Sequence, residues 1–175
     1  MNLPNRLTIL RVLLIPVCIL LTLLNLPGWA AATFALAALT DFLDGYIARK
    51  RHLVTNFGKF ADPVADKILS LCMMIVLVFF AGYPWWAACV VAARELAVDG
   101  LRLVAVEQGV VIPAGKLGKV KTNFQFLSVL SSLLRLPDAL TLSLCVVMAA
   151  LTVLSGIEYF RGARHLLSLS PNTTT

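Results

Sequence analysis

Apolar residues run along this chain in six long stretches, each closed by a short cluster of turn-forming or charged residues. The stretches fall at about 7–25, 28–47, 62–81, 85–105, 119–135 and 138–160. Each is near the ~20 residues that a helix needs to cross a hydrocarbon layer about 30 Å thick. The pattern predicts an all-α integral membrane protein: a bundle of six transmembrane helices, preceded by a short N-terminal segment, residues 1–6 with Pro4 and Asn5, lying along the interface. Residues 1–165 read as a single membrane domain and 166–175 as a polar tail expected to be disordered.

The breaks give the bundle a direction. Asn25-Leu26-Pro27-Gly28, Gly82-Tyr83-Pro84 and Arg135-Leu136-Pro137-Asp138 are short and nearly neutral, which predicts tight turns on one side. The other ends of the stretches carry 13 of the 15 Lys and Arg residues; Arg135 lies on the far side and Arg94 within a span. By the positive-inside rule the basic side, with both termini, is cytoplasmic, and the membrane expected is the inner one. A cleaved signal peptide over residues 1–32, ending near Ala30-Ala31-Ala32, is the competing reading of the first stretch, but that run is long for one.

Composition agrees with the pattern: 59% of residues are hydrophobic and the mean hydropathy is +0.88, too apolar for a soluble domain of 175 residues. Cys18, Cys72, Cys89 and Cys145 sit one per apolar stretch with no paired spacing and read as small buried hydrophobes, neither disulfides nor metal ligands. Trp29, Trp85 and Trp86 cluster at the non-cytoplasmic ends, as interfacial anchors do. His52 and His165 lie in basic stretches and read as surface groups. The sequon Asn172-Thr173-Thr174 would go unused on a cytoplasmic tail.

Chemistry enters with four aspartates in the pattern Asp41-x2-Asp44-Gly45-x2-Ala48-Arg49-x8-Gly58-x3-Asp62-x3-Asp66. On a helix Asp41, Asp44, Gly45 and Ala48 share one face, with Arg49 at its edge; Gly58, Asp62 and Asp66 recur every four residues on the next. Two such helix ends would converge four carboxylates, which repel one another unless hard cations sit among them; Mg²⁺ or Mn²⁺ prefer such oxygen ligands. Two ions could clamp a pyrophosphate. Gly45 and Ala48 would leave room for a nucleotide, and Arg49 can donate to phosphate. Asp62, standing before Pro63, also has the look of a helix N-cap. For the quartet, carboxylates inside a membrane are costly and point to function.

The spacing matches at every fixed position the signature of the CDP-alcohol phosphatidyltransferases, which this chain resembles. The resemblance implies that an acceptor hydroxyl attacks the phosphorus of a CDP-activated lipid and CMP leaves. It assigns Asp41, Asp44 and Asp62 to two divalent metal ions, and Asp66 to the metals and to the role of catalytic general base. By the same analogy Gly45, Arg49, Thr55 and Gly58 contact the CDP group, with Asn5 a further candidate.

For the acceptor, two features lie away from the aspartates. Arg94 is mid-span, on a helix that also presents Glu95, Asp99 and Arg102; it belongs to an internal ion-pair network or helps form an anion pocket. Lys119 and Lys121, in Gly118-Lys119-Val120-Lys121-Thr122, open the fifth stretch, where a helix start with two lysines suits a phosphate or simply carries flanking charge. These stretches and Pro4-Asn5-Arg6-Leu7-Thr8-Ile9-Leu10-Arg11 resemble the bacterial branch of the family that uses glycerol 3-phosphate. That implies CDP-diacylglycerol as donor and phosphatidylglycerophosphate and CMP as products, in anionic phospholipid synthesis. The expected partners are those substrates and membrane lipids, not nucleic acid, and the resemblance implies a homodimer. Two alternatives stand beside it: a relative using another acceptor, such as phosphatidylglycerol in cardiolipin synthases of this fold, and a divalent-cation carrier, which would need acidic residues continuing across the bilayer.

Overall fold

The computed structural model describes residues 3–50, 56–110, 112 and 115–164; the side chains of 3–6, 41–50, 56–60 and 116 lie outside the description. Among the described residues there are six helices and no strand: α1 (Leu3–Leu23), α2 (Pro27–Lys50), α3 (Asn56–Phe80), α4 (Trp85–Glu107), α5 (Lys116–Leu133) and α6 (Asp138–Gly162). All six apolar stretches are helical, with boundaries shifted by a few residues.

Neighbour contacts close the helices into a ring in the order α1, α2, α5, α6, α4, α3, and a contact between α3 and α5 crosses its middle. The core of that ring is apolar, built on Phe34, Leu69, Met73, Leu77, Val91 and Met148. Polar side chains are also inside: Tyr83 Oη and Ser128 Oγ lie 2.8 Å apart, Ser128 donates to Met148 Sδ at 3.7 Å, and Ser131 and Thr141 hydroxyls meet at 3.0 Å. Burial pushes the Tyr83 phenol up from its ordinary value, so it stays neutral.

The outer surface, by contrast, carries large apolar side chains: Trp29 is 71% exposed, Phe79 78% and Leu96 73%. Among the described residues two helical segments are long and apolar enough to cross a membrane, Ala61–Phe80 and Asp138–Gly162; the apolar stretches Leu7–Leu23 and Pro27–Thr40 are shorter.

The turns expected at one end are there, and their geometry explains the residues. Asn25 (φ 59°) and Arg135 (φ 52°) are left-handed. In each, the next amide reaches back five residues: Leu26 N to Leu21 O at 3.0 Å and Leu136 N to Ser131 O at 3.0 Å. This satisfies carbonyls that a helix end leaves open, and the proline that follows, Pro27 or Pro137, stands at the start of the next helix, where its missing N–H is not needed. Arg135 donates to the Asn25 side-chain oxygen, joining the two turns. Gly109 (φ 71°) ends α4 in the same way, with Val110 N on Ala105 O at 2.8 Å.

Three expectations need correcting. Residues 3–6 form no separate element: α1 runs unbroken from Leu3, because Pro4 falls in the first turn, where its missing N–H is not needed. Asp62 is not an N-cap, since α3 begins at Asn56 and takes Pro63 inside its second turn. Cys89 is exposed and not buried, on the outer face of α4, although the four cysteines are all free as expected. His52, His165 and the tail from 166 lie outside the described residues. Trp29 and Trp85 are exposed beside the turns, where anchoring residues were expected.

Candidate active site

The end of the bundle opposite the Asn25 and Arg135 turns gathers the first turns of α1, α3 and α5 and the last turns of α4 and α6. Here α3 places Asp62 and Asp66 one helical turn apart, so that both side chains share a face. Thr8, from α1, donates its hydroxyl proton to Asp62 Oδ1. This bond ties α1 to α3 and fixes the carboxylate that the sequence pattern singled out. Arg11, one turn beyond Thr8, is fully buried, whereas it reads in the sequence as flanking charge.

Beside Asp66 opens a cavity of about 190 Å³ between α3, α4, α5 and α6. Five cationic side chains line it: Lys67, Arg94, Arg102, Lys119 and Lys121, against Asp66 and Glu95. Gln125 and Tyr159 complete its wall, and Gly115 and Gly118 bring backbone close to it. Glu95 is the hub of the charges. Lys121 donates to its Oε1, Arg94 Nη1 lies 3.3 Å from the same oxygen, and Lys67 Nζ lies 3.4 Å from Oε2 while also donating to Asp99. Without those cations a carboxylate as buried as Glu95 would be costly, and without Glu95 so would Lys121.

The two readings of Arg94 therefore coexist, because it belongs to an ion-pair network and lines the cavity. Arg94 Nε and Gln125 Oε1 are buried with no hydrogen-bond partner among the described residues. A polar ligand bearing both acceptor and donor atoms would satisfy them. Lys119 is exposed and makes no ion pair among the described residues; Lys121 is buried.

Of the other expected site residues, Asp41, Asp44, Gly45 and Arg49 lie in the last turns of α2, Gly58 in the first turn of α3 and Asn5 in the first turn of α1; their side chains lie outside the description, as does Thr55 entirely. Among the described residues no group of three His, Cys, Asp or Glu could hold a metal ion. Sequence reading missed Thr8, Lys67, Gln125 and Tyr159. Only Lys67 carried a signal, its place directly after Asp66.

The sequence matches the CDP-alcohol phosphatidyltransferase family over residues 1–157. The chain belongs to this family. Among individual CDP-alcohol phosphatidyltransferases, it is 43% identical to the CDP-diacylglycerol–glycerol-3-phosphate 3-phosphatidyltransferase of Bacillus subtilis, over 91% of this chain and 93% of the relative. It is 40% identical to the Rickettsia typhi protein of the same name, over 93% and 97%. A probable phosphatidylglycerophosphate synthase of Mycobacterium tuberculosis is 39% identical, over 90% and 79%.

Proposed function

We propose that this CDP-alcohol phosphatidyltransferase transfers a phosphatidyl group from CDP-diacylglycerol to glycerol 3-phosphate, giving phosphatidylglycerophosphate and CMP. The observation that carries the reading is the cavity beside Asp66, whose five cations suit a small dianion while Gln125 suits its hydroxyls. A neutral acceptor would leave the excess of positive charge over Asp66 and Glu95 in that lining uncompensated. The relatives' names point to the same acceptor.

Asp66 would take the proton from the attacking hydroxyl, since it stands at the wall of the acceptor cavity. Arg94, Lys119 and Lys121 would hold the acceptor phosphate, and Asn5, Gly45, Arg49, Thr55 and Gly58 the CDP group. The donor set fits hard divalent cations: Asp62 and Asp66 offer oxygen ligands one turn apart on α3, and Asp41 and Asp44 in α2 would complete the set. Mg²⁺ or Mn²⁺ held there would offset the charge that develops as the pyrophosphate is split. The apolar outer surface, with the charged and polar side chains enclosed, supports a six-span bundle in a bilayer, with acyl chains remaining in lipid while the headgroup reaches the aspartates.

The test is product identification. Purified protein is given CDP-diacylglycerol and a panel of acceptors: glycerol 3-phosphate, phosphatidylglycerol, inositol, serine and none. A lipid phosphate should form with glycerol 3-phosphate, require added Mg²⁺ or Mn²⁺ and vanish with chelator. A cardiolipin product would move the chain to another branch, and full activity in excess EDTA would remove the metal.

A further inference from the structure

The cavity's two arginines share a contact that neither the aspartate motif nor the lysines explain. Tyr159, near the end of α6, is buried between them. Its ring lies 5.3 Å from Arg102 Cζ and 5.9 Å from Arg94 Cζ, within reach of attraction between a guanidinium and an aromatic face. Its hydroxyl accepts from Arg102 Nε at 2.8 Å and donates to the backbone oxygen of Ile112, in the α4–α5 connection, at 3.2 Å. One side chain of α6 thus fixes a guanidinium of α4 and anchors the segment that leads into α5. Arg94 is braced from the same helix, because its stem lies against Gly156, where a Cβ would stand 3.5 Å from Arg94 Cγ.

We infer that Tyr159 is a positioning residue for an anionic acceptor: it holds Arg102, through its hydroxyl and ring, and Arg94, through its ring, at the cavity wall where they meet a phosphate. The inference rests on reading that cavity as the glycerol 3-phosphate site. Arginine has many rotamers of similar energy, so a guanidinium fixed before the ligand arrives loses less freedom on binding. Spending its one proton on Ile112 leaves Tyr159 none to donate to a substrate, which separates its role from that of a general acid.

The experiment uses full-length protein in detergent and two readouts: calorimetric binding of glycerol 3-phosphate alone, and turnover with CDP-diacylglycerol. Tyr159→Phe keeps the ring and removes the two hydroxyl bonds; it should weaken glycerol 3-phosphate binding, and raise the acceptor KM, about tenfold. The donor KM should stay put. Arg102→Lys keeps the charge but loses the planar Nε–H, and should reproduce that change. In an Arg102→Ala background, Tyr159→Phe should add almost nothing, because the group through which it acts is gone. Additive losses, an unchanged acceptor affinity, or a donor KM that rises in step with the acceptor KM would overturn the assignment. A wild type that binds glycerol 3-phosphate yet makes no lipid product would sink the proposed reaction, while the binding series would still decide the role of Tyr159.

Discussion

Asp66 faces two neighbourhoods, with the aspartate pattern on one side and a cation-lined cavity on the other, and each makes its own demand. In the proposed role of base it would lose its function on losing proton affinity, so Asp66→Asn should retain CDP-diacylglycerol binding while turnover falls by about 10²- to 10⁴-fold. Loss of donor binding in a direct binding assay would instead make metal holding its main part. Lys119 and Lys121, both on α5, separate by burial. Lys119→Ala should raise the acceptor KM about ten- to a hundredfold with an unchanged melting temperature, since Lys119 is exposed and has no ion pair among the described residues. Lys121→Ala should do the same and also lower the melting temperature, because it strips the buried Glu95 of a partner, a loss of about 3–5 kcal/mol. Equal stability of the two variants would show that Arg94 and Lys67 suffice for Glu95. At this scale the sequence was legible where function imposes a spacing along one helix, as at Asp62 and Asp66. It was not legible where partners come from different helices: Lys67 meets Asp99 from α4, Thr8 meets Asp62 from α1, and Tyr159 meets Arg102 from α6.

The helices themselves follow from apolar run length, and the turns from local chemistry. Where the two conflict, as at Pro63, length won: a proline that reads as a helix start is absorbed into α3, since only the Lys59 carbonyl loses its donor while the apolar run beyond holds the rest. The left-handed turn residues allow a clean test. Arg135→Gly and Arg135→Val both remove the guanidinium that donates to Asn25, and so differ only in backbone freedom and side-chain bulk. At φ 52° glycine is unstrained and valine is not, so the valine variant should be about 1–2 kcal/mol less stable. Thermal unfolding in one detergent measures the difference; equal midpoints would mean the turn relaxes. Such turns are readable from Asn, Gly and Pro, but an arginine at Arg135 gives no local hint of its conformation.

Among the described residues the six helices form a ring, apolar outside, with most of the charge at one end. On the membrane reading, Gly82 and Arg164 belong to opposite faces, because three spans lie between them. In a variant whose four native cysteines are replaced, single cysteines at these two positions should label from opposite sides of sealed vesicles; equal labelling from one side would require another number of spans. Ring order is the part that the sequence did not disclose, since nothing in the hydropathy pattern says that α5 lies between α2 and α6. One consequence concerns synthesis. Helix α5 carries Lys119, Lys121, Gln125 and three serines, and its seam is satisfied partly by α6, through Thr141 and Met148. On the membrane reading that seam, alone in lipid, would have few partners, so α5 and α6 are expected to enter the bilayer together as a hairpin. The lysine wall and Tyr159 would then meet only once α6 has been made, so a chain truncated before Tyr159 should not turn over the proposed substrate.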